Sequence, residues 1–249
     1  MKKHTKLTAA LAATGLALAA SSATAATTIL SEDWQNPSVA NNLRVGSTSG
    51  LTNEGFTGWT FPGNNVNRIS HHSGSAAPQD GLNPNQSLQF EWADSYSSYD
   101  TTHNWASDDV YNVSFNATET SWSGASDRYI GIRIRETGGG LLWQGHAKLP
   151  EYDAAHAGAG DSWSAAQTFS MDFSAADFGT VFQTGAGTEG TLLTFEVGGV
   201  TKDLVDGSSY ANSNRGNYVD NINFTLVPEP TTTALLGLGG LALILRRRK

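Results

Sequence analysis

The sequence ends on a segment that no globular fold absorbs. Val227, Pro228, Glu229 and Pro230 lead into fifteen uncharged residues, Thr231 to Leu245, and then into Arg246, Arg247, Arg248 and Lys249. Pro228 and Pro230 fix φ and lack amide donors, so neither a strand nor a helix of the preceding domain runs on through them. The uncharged run has no polar face, which sets it apart from the frayed amphipathic end of a soluble chain. As a helix it measures about 22 Å at ~1.5 Å per residue. That is short of the ~20 residues a bilayer core normally needs. Glycine at 237, 239 and 240 weakens such a helix in water but is common in membrane spans. The expectation is a single transmembrane helix that thins the bilayer or rests on a protein partner. Arg246 to Lys249 would then stay cytoplasmic as a membrane-stop cluster.

The other end carries a second export signal. Lys2, Lys3 and Lys6 precede a small-apolar stretch from Leu7 to Ala20, and Ala23-Thr24-Ala25 fits the small-x-small rule of signal peptidase. Cleavage is expected between Ala25 and Ala26. A permanent N-terminal anchor is the alternative, and the alanine-rich stretch with its cleavage site argues against it. The expected organisation is a signal peptide over 1–25, an ectodomain over 26–226 and a sorting segment over 227–249.

In order, spacing and terminal position the tail resembles the PEP-CTERM sorting signal of exported bacterial proteins, over about a tenth of the chain. The resemblance implies an exosortase, a membrane-embedded transpeptidase, as partner. It also implies a transient anchor in the inner membrane, a cut near Val227-Pro228-Glu229-Pro230, and delivery to the cell surface or extracellular matrix. The hosts it implies are Gram-negative-type bacteria that make exopolysaccharide.

Between the two signals, 22 acidic residues face eight Lys and Arg, a net charge of −14. So acidic a surface argues against nucleic acid, anionic lipid and other polyanions as partners and is compatible with neutral glycans, cations or simple solubility. The chain has no cysteine, so neither disulfides nor thiol chemistry contributes in a compartment that permits them. Abundant Gly, Ser, Thr, Asn and Asp are turn-rich composition, and ten Phe, seven Trp and seven Tyr supply the large buriable surfaces a disordered chain lacks.

Short alternating or apolar segments flanked by turn residues read as strands. They cover 27–32, 87–92 (Leu88, Phe90 and Trp92 on one face), 110–117, 128–135, 141–144, 167–173, 191–197 and 218–226. In 128–135, Ile130, Ile132 and Ile134 face inward while Arg133 and Arg135 face out. Gly138-Gly139-Gly140 makes a hairpin turn, and 174–178 is a short helical turn. This pattern predicts an all-β fold, an antiparallel β-sandwich of jelly-roll type. Residues 35–86 are the weak part. Their best strand is Gly58-Trp59-Thr60-Phe61, and a structureless loop of that length points to strands the periodicity misses.

Two constellations are candidates for a site. Leu30-Ser31-Glu32-Asp33 closes the first strand and Tyr218-Val219-Asp220-Asn221 opens the last. In this respect the ectodomain resembles carbohydrate-binding modules of the jelly-roll type. There the terminal strands pair, and an early acid and a late Asp-Asn help hold a structural calcium ion. The resemblance implies Ca²⁺ as a cofactor on Glu32 and Asp220, hard oxygen ligands that suit it. The bland reading makes both ordinary strand-end residues, and Trp34 departs from the family pattern, where a small residue often follows. The second constellation is Trp92, Tyr96, Tyr99 and Trp105 in the polar stretch 92–105, with Tyr96, Tyr99 and Trp105 read as loop aromatics whose rings stack on a neutral polysaccharide. Its rival reading packs the same rings over the sandwich. Trp92 reads as core; Trp122, Trp143 and Trp163 have no distinguishing context.

No catalytic set stands out. His71, His72, His103, His146 and His156 lack His-Glu-x-x-His spacing and read as solvated loop histidines. The expectation is a non-catalytic exported protein. The alternative is a secreted glycoside hydrolase or polysaccharide lyase on the same scaffold, with Glu91 its least unlikely acid.

Overall fold

A computed structural model of the protein describes residues 25–34, 43–45, 56–61, 67–71, 86–90, 95–119, 129–149, 166–200, 202–208 and 217–228. The signal segment before Ala25, the tail from Glu229 to Lys249, Glu91, Trp92, Trp122, Trp163, His72 and His156 lie outside them. Among the described residues no helix is long and apolar enough to cross a membrane.

Among the described residues twelve strands form two antiparallel sheets. The larger holds β10 (Gln167–Ser174), β7 (Val110–Glu119), β12 (Asn217–Val227), β5 (Gln86–Phe90), β4 (Asn67–His71) and β2 (Leu43–Val45) in that order, with β1 (Thr27–Glu32) also paired to β12. The smaller runs β3 (Trp59–Thr60), β6 (Ser95–Asn104), β11 (Leu192–Gly199), β8 (Tyr129–Glu136), β9 (Leu141–Lys148). The chain crosses repeatedly between the sheets, staying in the larger for β1–β2 and β4–β5 and in the smaller for β8–β9. Residues Thr28–Thr225 form one compact unit.

The alternation in β8 places Ile130, Ile132 and Ile134 in the core at 0% exposure, because successive side chains point to opposite faces. Rings from the two sheets meet between them. Trp143 of β9 stacks on Phe173 of β10 at 4.1 Å, and Phe195 of β11 lies 5.7 Å from Phe224 of β12. At one end Trp34, Phe56, Trp59 and Phe61 form an aromatic cluster, Trp34 and Trp59 being 4.7 Å apart. A 3₁₀ turn follows β10 at Ala175–Asp177, where a helical turn is expected. Glu136 N–H donates to Gly140 O across the Gly138–Gly140 turn, with Gly138 at φ +72°.

Two expectations need correction. The polar stretch 95–104 is not a loop but strand β6, bonded to β3 and β11. Its buried positions hold Ser95, Ser97 and Thr101 rather than large apolar residues, so no hydrophobic period marks it. Thr101 Oγ1 satisfies itself on Leu193 O at 2.7 Å, as a buried hydroxyl must. Nor are His103 and His146 solvated loop residues. Both sit half-buried on strands, His103 Nε2 3.0 Å from Asp109 Oδ2 and His146 Nε2 3.8 Å from Asp203 Oδ2. Within residues 35–86, β2 and β4 are the strands that periodicity misses, and β3 falls on Trp59–Thr60.

Candidate functional site

The first candidate lies where the chain's two terminal strands pair. Glu32 ends β1 and Asp220 sits within β12, and these strands are bonded neighbours. Glu32 Oε1 accepts Trp34 N–H at 2.8 Å, and Oε2 accepts Trp59 Nε1–H at 2.9 Å. The carboxylate thereby fastens the aromatic cluster. Burial pushes its pKa above the usual glutamate value, against the opposing pull of those two donors. A raised folded-state pKa stabilises the fold most at low pH, and that contribution fades as pH climbs through the folded value. Asp220 is wholly buried and accepts Asn221 N–H at 2.8 Å.

Three non-glycine residues in the described chain have left-handed φ, and two of them flank these acids. Trp34 is at +57°, two residues after Glu32, and Asn221 at +51°, directly after Asp220. Asparagine tolerates this region, whereas for a bulky residue it is an outlier that the surroundings must enforce. As ligands the two acids fit Ca²⁺ by chemistry: both are hard carboxylates, and each Glu32 oxygen has a second lone pair beyond the donor it accepts. Among the described residues no three His, Cys, Asp or Glu side chains group as a metal site, so further ligands would be carbonyls or water.

The three aromatics do not form a ring platform. Trp105 is 6% exposed, donates Nε1–H to Thr191 Oγ1 at 3.1 Å and meets the Phe178 ring edge-on at 4.9 Å. Tyr99 pairs with Trp59 and Phe195, its ring 5.4 Å from that of Trp59 and so close to Gly58 that a Cβ there would lie 2.6 Å from it. Tyr96 lies over Gly198 and Gly131, where added Cβ atoms would meet it at 2.8 and 2.7 Å. The Arg133 guanidinium covers it from above at 3.8 Å, a cation–π contact. Trp105 is thus a buried ring, while Tyr96 and Tyr99 are half-buried against the sandwich.

What the register builds instead is a polar strip on the face of the smaller sheet opposite Ile130, Ile132 and Ile134, in which Gln144 and Thr194 are themselves buried. One row across four strands is Ser98, Glu196, Arg133 and Gln144; the next holds Asp100, Thr194 and Arg135. Arg133 Nε donates to Gln144 Oε1 at 3.3 Å, and Arg135 Nε pairs with Glu196 Oε2 at 2.9 Å. Thr194 Oγ1 donates to Asp100 Oδ1 at 2.7 Å. Both guanidiniums are therefore fixed through Nε, while their terminal amino groups find no protein partner among the described residues. Gln144 is held in turn by the carbonyl of Phe182, a 37% exposed ring on the adjoining loop. The outward placement of both arginines is legible in the alternation of β8, whereas their partners across the sheet are not. The available signal was glycine inside strands at 131 and 198, which marks close approach of another group.

β12 ends at Val227, and residues 226–249 match the PEP-CTERM protein-sorting motif. The tail carries a PEP-CTERM sorting motif. Such a motif indicates an exported protein that is anchored in a membrane and then processed by an exosortase. Among curated proteins none matches the chain. Solved structures with similar folds include the CBM22-1 xylan-binding domain of Paenibacillus barcinonensis Xyn10C. It is 14% identical, covering 83% of this chain and 98% of that one, at a TM-score of 0.37. A carbohydrate-binding module that recognises mannan, TmCBM27, is 12% identical over 82% and 99% of the two chains at 0.39. An arabinose-bound α-L-arabinofuranosidase is 9% identical at 0.42, and there the match spans 28% of the other chain. Likeness at these levels bears on neither ligand nor activity, and the fold stands on its own strand pairing.

Proposed function

We propose that this is a non-catalytic protein of the cell surface or extracellular matrix, delivered by its PEP-CTERM tail, whose sandwich holds a neutral polysaccharide on the polar face of the smaller sheet. The observation that carries the ligand is the pair of guanidiniums on β8. Arg133 and Arg135 stand about 7 Å apart, two residues along one face of a strand, each oriented through Nε with its terminal donors available. A sugar hydroxyl accepts such donors, and a fixed planar fork loses little freedom on binding. The net charge of −14 repels polyanions and so favours an uncharged chain. Asp100 and Glu196, the acids of this face, are each engaged by a neighbour, which suits binding better than acid–base turnover.

The test is affinity electrophoresis against a panel of neutral polysaccharides, with reducing-sugar release assayed in parallel. For a polysaccharide that retards the wild-type domain, Arg133→Ala should weaken binding at least about tenfold, as loss of charge-assisted hydrogen bonds does. Arg133→Lys should fail to restore it, since a point charge does not replace the fork. Unchanged retardation in both variants would remove the strip from the reading. Sugar release by the wild type would replace it with the hydrolase or lyase alternative.

Calcium on Glu32 and Asp220 belongs to the same proposal, as the brace that a cysteine-free exported domain otherwise lacks. An ion bound only by the folded state adds ~2.7 kcal/mol at a hundredfold excess over its Kd. Chelation should lower the Tm of the ectodomain, and Asp220→Ala should abolish that response. A Tm indifferent to chelator and to added Ca²⁺ leaves both acids as strand-end residues.

A further inference from the structure

We infer that the folded sandwich itself limits the rate of tail processing, because its last strand runs directly into the sorting motif and Phe224 fixes how far that strand opens. The inference rests on the sorting reading of the tail. β12 extends to Val227, and the first proline of the motif, Pro228, is the next residue, so no linker separates sheet from motif.

Burial along this strand is uneven. Ile222 and Phe224 are 1% and 0% exposed, whereas Thr225, Leu226, Val227 and Pro228 are all half-buried. The Phe224 ring lies 5.5 Å from Tyr111, 6.3 Å from Phe173 and 5.7 Å from Phe195, which places it among rings of both sheets. Beyond it Thr225 Oγ1 donates to Asn112 O at 3.4 Å, a long hydrogen bond. Three residues past Phe224 reach about 10 Å when extended.

A transpeptidase takes its substrate as extended chain, with the residues flanking the bond released from other pairing. The peptide bond that breaks gives an acyl half, taken up by an acceptor amine or by water, and an amine half that leaves with the tail. For this chain the flank on the acyl side is sheet. Releasing Thr225 to Val227 frees only half-buried side chains, whereas going further lifts the fully buried Phe224 out of the core. Cutting then follows the population of the opened strand end when opening and closing are fast. Phe224 is thus a positioning residue for processing, acting through the strand it anchors.

The test is pulse–chase of the full chain in a host with the matching exosortase. Gly-Ser insertions of about four and about eight residues go between Val227 and Pro228, as flexible coil. Processing should quicken about tenfold with the longer insertion, the factor that ~1.4 kcal/mol of opening represents. Phe224→Leu should quicken processing of the uninserted chain and have no effect once the insertion is present. A merely structural Phe224 would not lose its effect in this way. Equal rates with and without insertions, in a host where Pro228→Ala, Glu229→Ala and Pro230→Ala together block processing, would overturn the inference and leave the sorting reading intact. Normal processing of that triple variant would overturn both.

Discussion

Trp105→Ala is expected to lower the stability of the ectodomain by ~3–5 kcal/mol, the range for deleting a large buried aromatic. Three contacts place it there: the ring is almost fully buried, its Nε1–H is satisfied by Thr191 Oγ1, and Phe178 packs against it edge-on. Its backbone is tied as well, Trp105 N donating to Thr191 O and Gly190 N to Trp105 O. The residue therefore joins the end of β6 to the segment that enters β11. Alanine there leaves a cavity that these strands, fixed by their register, have little freedom to close. For a domain that is marginally stable like most, such a loss brings unfolding within reach of physiological temperature. Chemical denaturation of the wild-type and variant domains measures it directly. A Tm held within about a degree of wild type, together with lost polysaccharide binding, would restore Trp105 to a ligand platform and contradict its assignment to the core.

That reversal shows which parts of the molecule the sequence makes legible. β8 is readable because its inward positions are isoleucine and its outward ones arginine, so the period of two stands out. β6 has the same geometry with Ser95, Ser97 and Thr101 inside, and such hydroxyls, that of Thr101 bonded to Leu193 O, leave no hydrophobic trace. Once β6 is taken for a loop, its aromatics look free. The placement of Tyr96 depends on Gly131 and Gly198, glycines 35 and 102 positions away in the chain, over which its ring lies.

The same non-locality hides the polar strip. Arg133 and Gln144 are close in sequence and their pairing follows from the β8–β9 hairpin. Glu196 and Ser98 join them only through sheet register, which turn composition does not specify. At the other candidate, the pairing of the first and last strands is the expected one, while the bond from Trp59 to Glu32 spans 27 residues and has no local signature. The tail, by contrast, is legible throughout, since its order of proline pair, apolar run and cations is written in consecutive residues.

The claim on which the rest depends is that this tail delivers the sandwich to the outside and is then removed. In a host with the matching exosortase, replacing Pro228, Glu229 and Pro230 together by alanine should reduce surface-released protein to background and leave the chain in the membrane fraction. The apolar run and the Arg246–Lys249 cluster are untouched in that variant, so anchoring persists while the processing signal is lost. Intact-mass measurement of the wild-type protein released from the cell surface is the most direct test. The account predicts a species that begins at Ala26 and lacks Arg246 to Lys249. A released species that keeps the whole tail in such a host would contradict it.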